Sequence, residues 1–89
     1  MKASTQKIID NCERALRDYV NDKGNAKDLV LLEQALLDIE RYYKNQWRYS
    51  GQPLMVHSLR VARLLCQSGA DIQTVIAAVE IITEYRFYQ

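Results

Sequence analysis

Histidine is almost missing from this chain: one imidazole, His57, occurs in 89 residues, so a site built on two or more histidines of this sequence is excluded. Cysteine is as scarce. Cys12 and Cys66 lie far apart and match no metal-ligand spacing, which makes reduced, buried thiols the expectation in place of a disulfide or a zinc site. Proline occurs only at 53 and glycine only at 24, 51 and 69, so the chain has few breaks. No apolar run reaches the roughly 20 residues of a membrane span, and the opening MKASTQK lacks the apolar core of a secretory signal. The expectation is therefore a cytoplasmic protein with no membrane partner. Twelve basic residues balance eleven acidic ones, and a net charge of +1 gives no general attraction to nucleic acid. No glycine-rich phosphate loop, nucleophile elbow or zinc knuckle is present.

What is there is helical. The sparse glycines and the proline punctuate four periodic segments, predicted over residues 5–20, 27–45, 53–68 and 71–86 of one domain spanning 1–89. Ser4 or Thr5 is the expected N-cap of the first helix, whose Ile8, Ile9, Cys12, Leu16, Tyr19 and Val20 recur at steps of three and four. Asn21 to Ala26, NDKGNA, reads as a tight reversal using left-handed backbone, which makes the first two helices an antiparallel hairpin. Asn25 is the expected cap of the second helix, with Asp28 facing the positive end of its dipole. Apolar residues crowd that helix from Leu29 to Tyr43, too many for one stripe. It is expected to be the centre of the bundle or half of a subunit interface. Pro53 suits the first turn of the third helix, Met55, Leu59, Ala62, Leu65 and Cys66 form its ladder, and Gly69 is its C′ residue. Asp71 caps the fourth, which buries Ile72, Val75, Ile76, Val79 and Ile82 or Thr83. Tyr85, Phe87 and Tyr88 then bring aromatic surface that calls for docking on the body of the domain or on another chain.

The stretch Arg48 to Leu65, RYSGQPLMVHSLRVARLL, carries a resemblance. Arg48, Ser50, Gly51, Pro53 and His57 stand at the spacing found in the metal-dependent HD-type hydrolases of the RelA/SpoT guanosine tetraphosphate family. There an arginine-x-serine-glycine-x-proline loop leads into a helix bearing the first metal-ligating histidine. The resemblance runs over about Glu40 to Val79 and implies a helical scaffold with a purine-alarmone pocket. The departures follow it. Ile81 and Ile82 stand where the family has its adjacent His-Asp pair, and Tyr85 and Arg86 where it has a catalytic Glu-Asp pair. The sequence given reaches Gln89 before the family helices that supply a last aspartate ligand. A divalent cation with hydrolytic duty needs several donors around it, and one imidazole with scattered carboxylates does not supply them. The departures thus imply a scaffold without the hydrolase, with no metal and no cofactor, and the expectation for His57 is a partly buried, hydrogen-bonded helix residue.

Other candidates have two readings each. Arg48 and Ser50 either brace their loop or hold a purine and its ribose or phosphate, with Lys44, Arg60 and Arg63 adding positive charge. Tyr42, Tyr43, Trp47 and Tyr49 either seal the open end of the bundle or offer a base-stacking platform. Glu80 and Glu84 are read as a solvated stripe in preference to an acid/base couple, having no nucleophile or metal beside them. The resulting reading is an all-α, four-helix bundle-like HD-domain remnant, catalytically inactive, acting as a homodimeric interaction or regulatory module. Its expected interface uses Leu31, Tyr42, Tyr85, Phe87 and Tyr88. The alternative is an alarmone sensor in which Arg48, Ser50 and His57 contact a guanine nucleotide. A third is a piece of a longer metal-dependent phosphohydrolase.

Overall fold

The computed structural model describes residues 3–43 and 54–87, with side chains over 3–42 and 55–80. Four helices fill them: α1 (Ala3–Lys23), α2 (Ala26–Tyr43), α3 (Leu54–Gln67) and α4 (Ile72–Phe87). Among the described residues there is no strand, so the expected all-α bundle is the architecture.

α1 is longer at both ends than its apolar ladder. Ser4 and Thr5 lie inside it, Thr5 buried, and neither is its cap. At the other end Asn21, Asp22 and Lys23 continue the helix. The Gly24 N–H donates to the Val20 carbonyl at 2.7 Å, so the helical bonding runs up to the glycine. The reversal is thus two residues, Gly24 and Asn25, and not the six of NDKGNA. It uses no left-handed residue, because Gly69 at φ 80° is the one positive-φ glycine among those described. Gly24 is needed for space instead: a Cβ there would lie 2.7 Å from Asp28 Oδ2 and 2.9 Å from the Val20 carbonyl oxygen. Of these, Asp28 Oδ2 belongs to a reciprocal cap. The Asp28 N–H donates to Asn25 Oδ1 at 2.9 Å while the Asn25 N–H donates to Asp28 Oδ2 at 3.0 Å, a capping box with aspartate in the third helical position.

The α3–α4 corner follows the expected chemistry. Gly69 donates to the Cys66 carbonyl and Ala70 to the Leu65 carbonyl, both at 3.0 Å, which is the Schellman pattern. Asp71 Oδ1 then accepts the Thr74 N–H at 2.7 Å and caps α4. Pro53 lies outside the described residues.

The two hairpins stack. α3 packs chiefly on α4 and α1, and α2 on α4, while α2 and α3 barely touch and sit at opposite corners. The Arg17 guanidinium ties α1 to α2 through two bonds to the Glu33 carboxylate, at 2.6 and 2.9 Å. The Tyr19 hydroxyl donates to the Ala70 carbonyl at 2.5 Å and ties α1 to the far hairpin. Ile9, Cys12, Leu16 and Val20 of α1 meet Leu32, Ala35, Leu36 and Ile39 of α2 in one core. Met55, Val56, Leu59 and Ala62 of α3 with Val75 and Val79 of α4 complete it. Leu16, Leu32, Ile39 and Leu59 are fully enclosed. Ile72 and Ile76 are half-buried against this core, and the side chains of Ile82 and Thr83 lie outside the described residues.

Candidate functional site

α3 carries the sole imidazole, and the direction it points is set by which face of that helix is covered. Met55, Val56, Ser58, Leu59 and Ala62 are buried, and at about 100° per residue they define one arc. His57 falls on the opposite side and is exposed. The expected partial burial is therefore corrected, because α1 and α4 cover the other face of α3, and His57 has no hydrogen bond among the described residues. Val61 and Leu64 share the outer face with His57, at 38% and 62% exposure. The buried hydroxyl of α3 is Ser58, which its place in the motif had not singled out.

Arg48, Ser50, Lys44, Trp47 and Tyr49 lie outside the described residues, as do the side chains of Tyr43, Ile81, Ile82, Glu84, Tyr85, Arg86, Phe87 and Tyr88. Where the other predicted nucleotide and C-terminal contacts stand relative to His57 therefore falls outside the described residues. Tyr42 is half-buried against the core and Glu80 is half-buried, so Glu80 is not part of a fully solvated stripe. Cys12 and Cys66 are free thiols, buried and half-buried, and burial pushes the Cys66 thiol above its ordinary range. Among the described residues, no three His, Cys, Asp or Glu side chains gather into a metal-sized group.

The apolar excess of α2 has a definite location. Leu32, Ala35, Leu36 and Ile39 point inward, whereas Val30 and Leu37, seven residues apart, share the opposite side at 56% and 46% exposure. α2 is therefore not the enclosed centre of the bundle. A shallow groove runs along this face between Leu29, Val30, Glu33, Gln34 and Leu37. Leu31 is also exposed, at 44%, but about 100° round the helix from Val30. The sequence announced the surplus; Val30 and Leu37 are recognisable as its outward members only once the inward four are known.

The charges beside the groove are held. The Arg17 hydrogen bonds keep the Glu33 carboxyl below its ordinary range, while Glu33 raises the guanidinium. Glu13 is 3.9 Å from the same guanidinium, yet its own burial wins and raises its pKa, with Glu40, Asp10 and Glu33 adding to the rise.

No protein-family model matches the chain, and no solved structure matches it. Part of it is similar to two curated proteins. Over 52 residues, 58% of this chain, it is 36% identical to the bifunctional (p)ppGpp synthase/hydrolase RelA of Mycobacterium tuberculosis. It is 36% identical over a stretch of the same length to a probable GTP pyrophosphokinase of Mycobacterium bovis. The chain spans 7% of the length of each. It thus carries a region related to RelA/SpoT proteins, a likeness that does not single out their hydrolase domain.

Proposed function

We propose that this chain is a catalytically inactive helical module, related to the alarmone hydrolase region of RelA/SpoT proteins, that works by binding a second copy of itself through the outer face of α2. One observation carries the reading: Val30 and Leu37 present two large aliphatic side chains one above the other, on the side of α2 turned away from its own core. Burying such side chains stabilises by about 1.5–3 kcal/mol each when complete. An antiparallel α2–α2 pairing suits the charges. It places Val30 against Leu37 of the second copy, Arg41 near Ala26, and Lys27 on the same side as Asp38, all of them exposed. A parallel pairing would set Arg41 against its own copy. The absence of hydrolase activity is inferred from sequence: one histidine, and Ile81 and Ile82 where the resembled family carries its His-Asp pair.

Sedimentation equilibrium at micromolar concentration is expected to show a dimer, and Val30→Glu with Leu37→Glu a monomer of unchanged helicity. A wild-type monomer, or a dimer untouched by both changes, overturns the interface. Release of pyrophosphate from guanosine tetraphosphate by the purified protein with manganese overturns the inactivity. The RelA likeness also favours a second reading, an alarmone sensor using Arg48 and Ser50. Calorimetry with guanosine tetraphosphate tests it, expecting heat that Arg48→Ala abolishes.

A further inference from the structure

α1 and α3 leave an open cleft of about 340 Å³ between them, away from the outer face of α2. Ile8 and Cys12 of α1 and Leu64 of α3 give it hydrocarbon walls, and Asn11 and Gln67 add two neutral amides. Two guanidinium groups, Arg60 and Arg63, stand one helical turn apart on its rim. Among the described residues, no acidic side chain lines the cleft. Both arginines are exposed, and neither makes an ion pair or hydrogen bond among the described residues. The other well-placed guanidinium of the fold, Arg17, is neutralised by Glu33 and Glu13. Two like charges at this spacing repel by only a few tenths of a kcal/mol, so they are tolerated, but they leave a positive rim over an apolar floor.

That combination defines a ligand chemistry. A guanidinium fork pairs with a carboxylate or phosphate in bidentate fashion, and a pair of forks holds one anionic head. The walls from Ile8, Cys12 and Leu64 accept hydrocarbon, and the cleft volume is about 340 Å³. It falls within the ~300–1,000 Å³ range of small-molecule sites. We propose that the α1–α3 cleft binds an amphipathic anion, a medium-length aliphatic chain ending in a carboxylate or phosphate, with Arg60 and Arg63 on the head group and Ile8, Cys12 and Leu64 along the chain. This does not depend on self-association through α2.

The test is a ¹H–¹⁵N titration of the whole chain with decanoate and with decyl phosphate below their micelle concentrations, against decanol and inorganic phosphate as controls. Saturable shifts confined to the amides around Ile8–Cys12 and Arg60–Gln67 are expected with either amphipathic anion, and the tighter one names the head group. Decanol and inorganic phosphate are each expected to bind at least tenfold more weakly. R60A with R63A should weaken decanoate binding at least tenfold at unchanged helicity, and Leu64→Ser should weaken it while leaving the response to inorganic phosphate alone. Three results overturn the site: no saturable shift at millimolar ligand, equal binding of decanol or inorganic phosphate, or shifts spread over the whole chain as a detergent would cause.

Discussion

Two neighbours on α3 separate what the motif marks from what the fold needs. His57, the motif's lone imidazole, is exposed, and Leu59 two residues on is fully enclosed. His57→Ala should leave stability within about 0.5 kcal/mol of wild type, as surface changes do. Leu59→Ala should cost about 2–5 kcal/mol through lost transfer energy and the cavity left behind. Urea unfolding followed by circular dichroism checks both. Glu33 gives the pH dependence. Its folded pKa is depressed by the Arg17 bonds, so the stability it adds is complete above the unfolded-state value and disappears as pH falls through the folded one. Its side chain is half-exposed at 49%, and screening keeps the contribution below about 1 kcal/mol. Glu13 works in the opposite direction, because its raised pKa means the folded state takes up a proton earlier on acidification. Glu33→Gln should therefore shrink the loss of thermal midpoint between neutral and acidic buffer, and an undiminished loss would show that the pair contributes nothing.

The helices show how far local signals reach. Asn25, Asp71 and Gly69 each do what their residue type and position predict, since a cap or a left-handed glycine needs only neighbours within a few residues. Both ends of α1 went differently, for reasons still local but competitive. Ser4 and Thr5 are good caps by residue type but lie inside a helix that already includes Ala3, and Asn21 and Asp22 are weak helix formers kept helical up to the bond from Gly24 to Val20. The candidate site was less legible. His57 could be placed on a helix by spacing, but its direction depends on α1 and α4 covering the other side of α3, a long-range matter. The surplus apolar residues of α2 were countable, while Val30 and Leu37 became distinguishable from Leu32 and Leu36 only through packing. The two helix-end glycines make opposite sterical demands, and alanine tests this. At Gly69 the added Cβ meets nothing within 4 Å, so Gly69→Ala bears only the left-handed backbone cost of about 1–2 kcal/mol. At Gly24 the backbone is not left-handed and alanine would ordinarily help a helix by up to about 1 kcal/mol. Here the Val20 carbonyl at 2.9 Å is backbone, so Gly24→Ala should destabilise and strain the Asn25–Asp28 box, seen as faster amide exchange at Asp28.

At the scale of the fold, stacking two hairpins with α2 and α3 at opposite corners leaves each of those helices one side that no other described helix covers. On α3 the free side holds His57, Val61 and Leu64; on α2 it holds Val30 and Leu37. An 89-residue chain is near the size at which one core is marginal, so association that covers either side adds stability by mass action. The two surfaces make different assemblies. An α2–α2 contact is self-complementary about a two-fold axis and closes at two copies, whereas α2 of one copy on α3 of the next is head-to-tail and continues unless it happens to form a ring. Pairwise cross-linking separates these. With Cys66 changed to serine and Cys12 buried, the antiparallel α2 pairing predicts that a mixture of Val30→Cys and Leu37→Cys proteins oxidises to a covalent heterodimer, because those positions face each other across the axis. Neither variant alone should link at a comparable rate. Self-linking of Val30→Cys and of Leu37→Cys would indicate a parallel pair, and ladders from a single protein carrying both Val30→Cys and Leu64→Cys would indicate the head-to-tail chain. Either pattern would displace the two-fold α2 interface as the way this fold covers its exposed hydrocarbon.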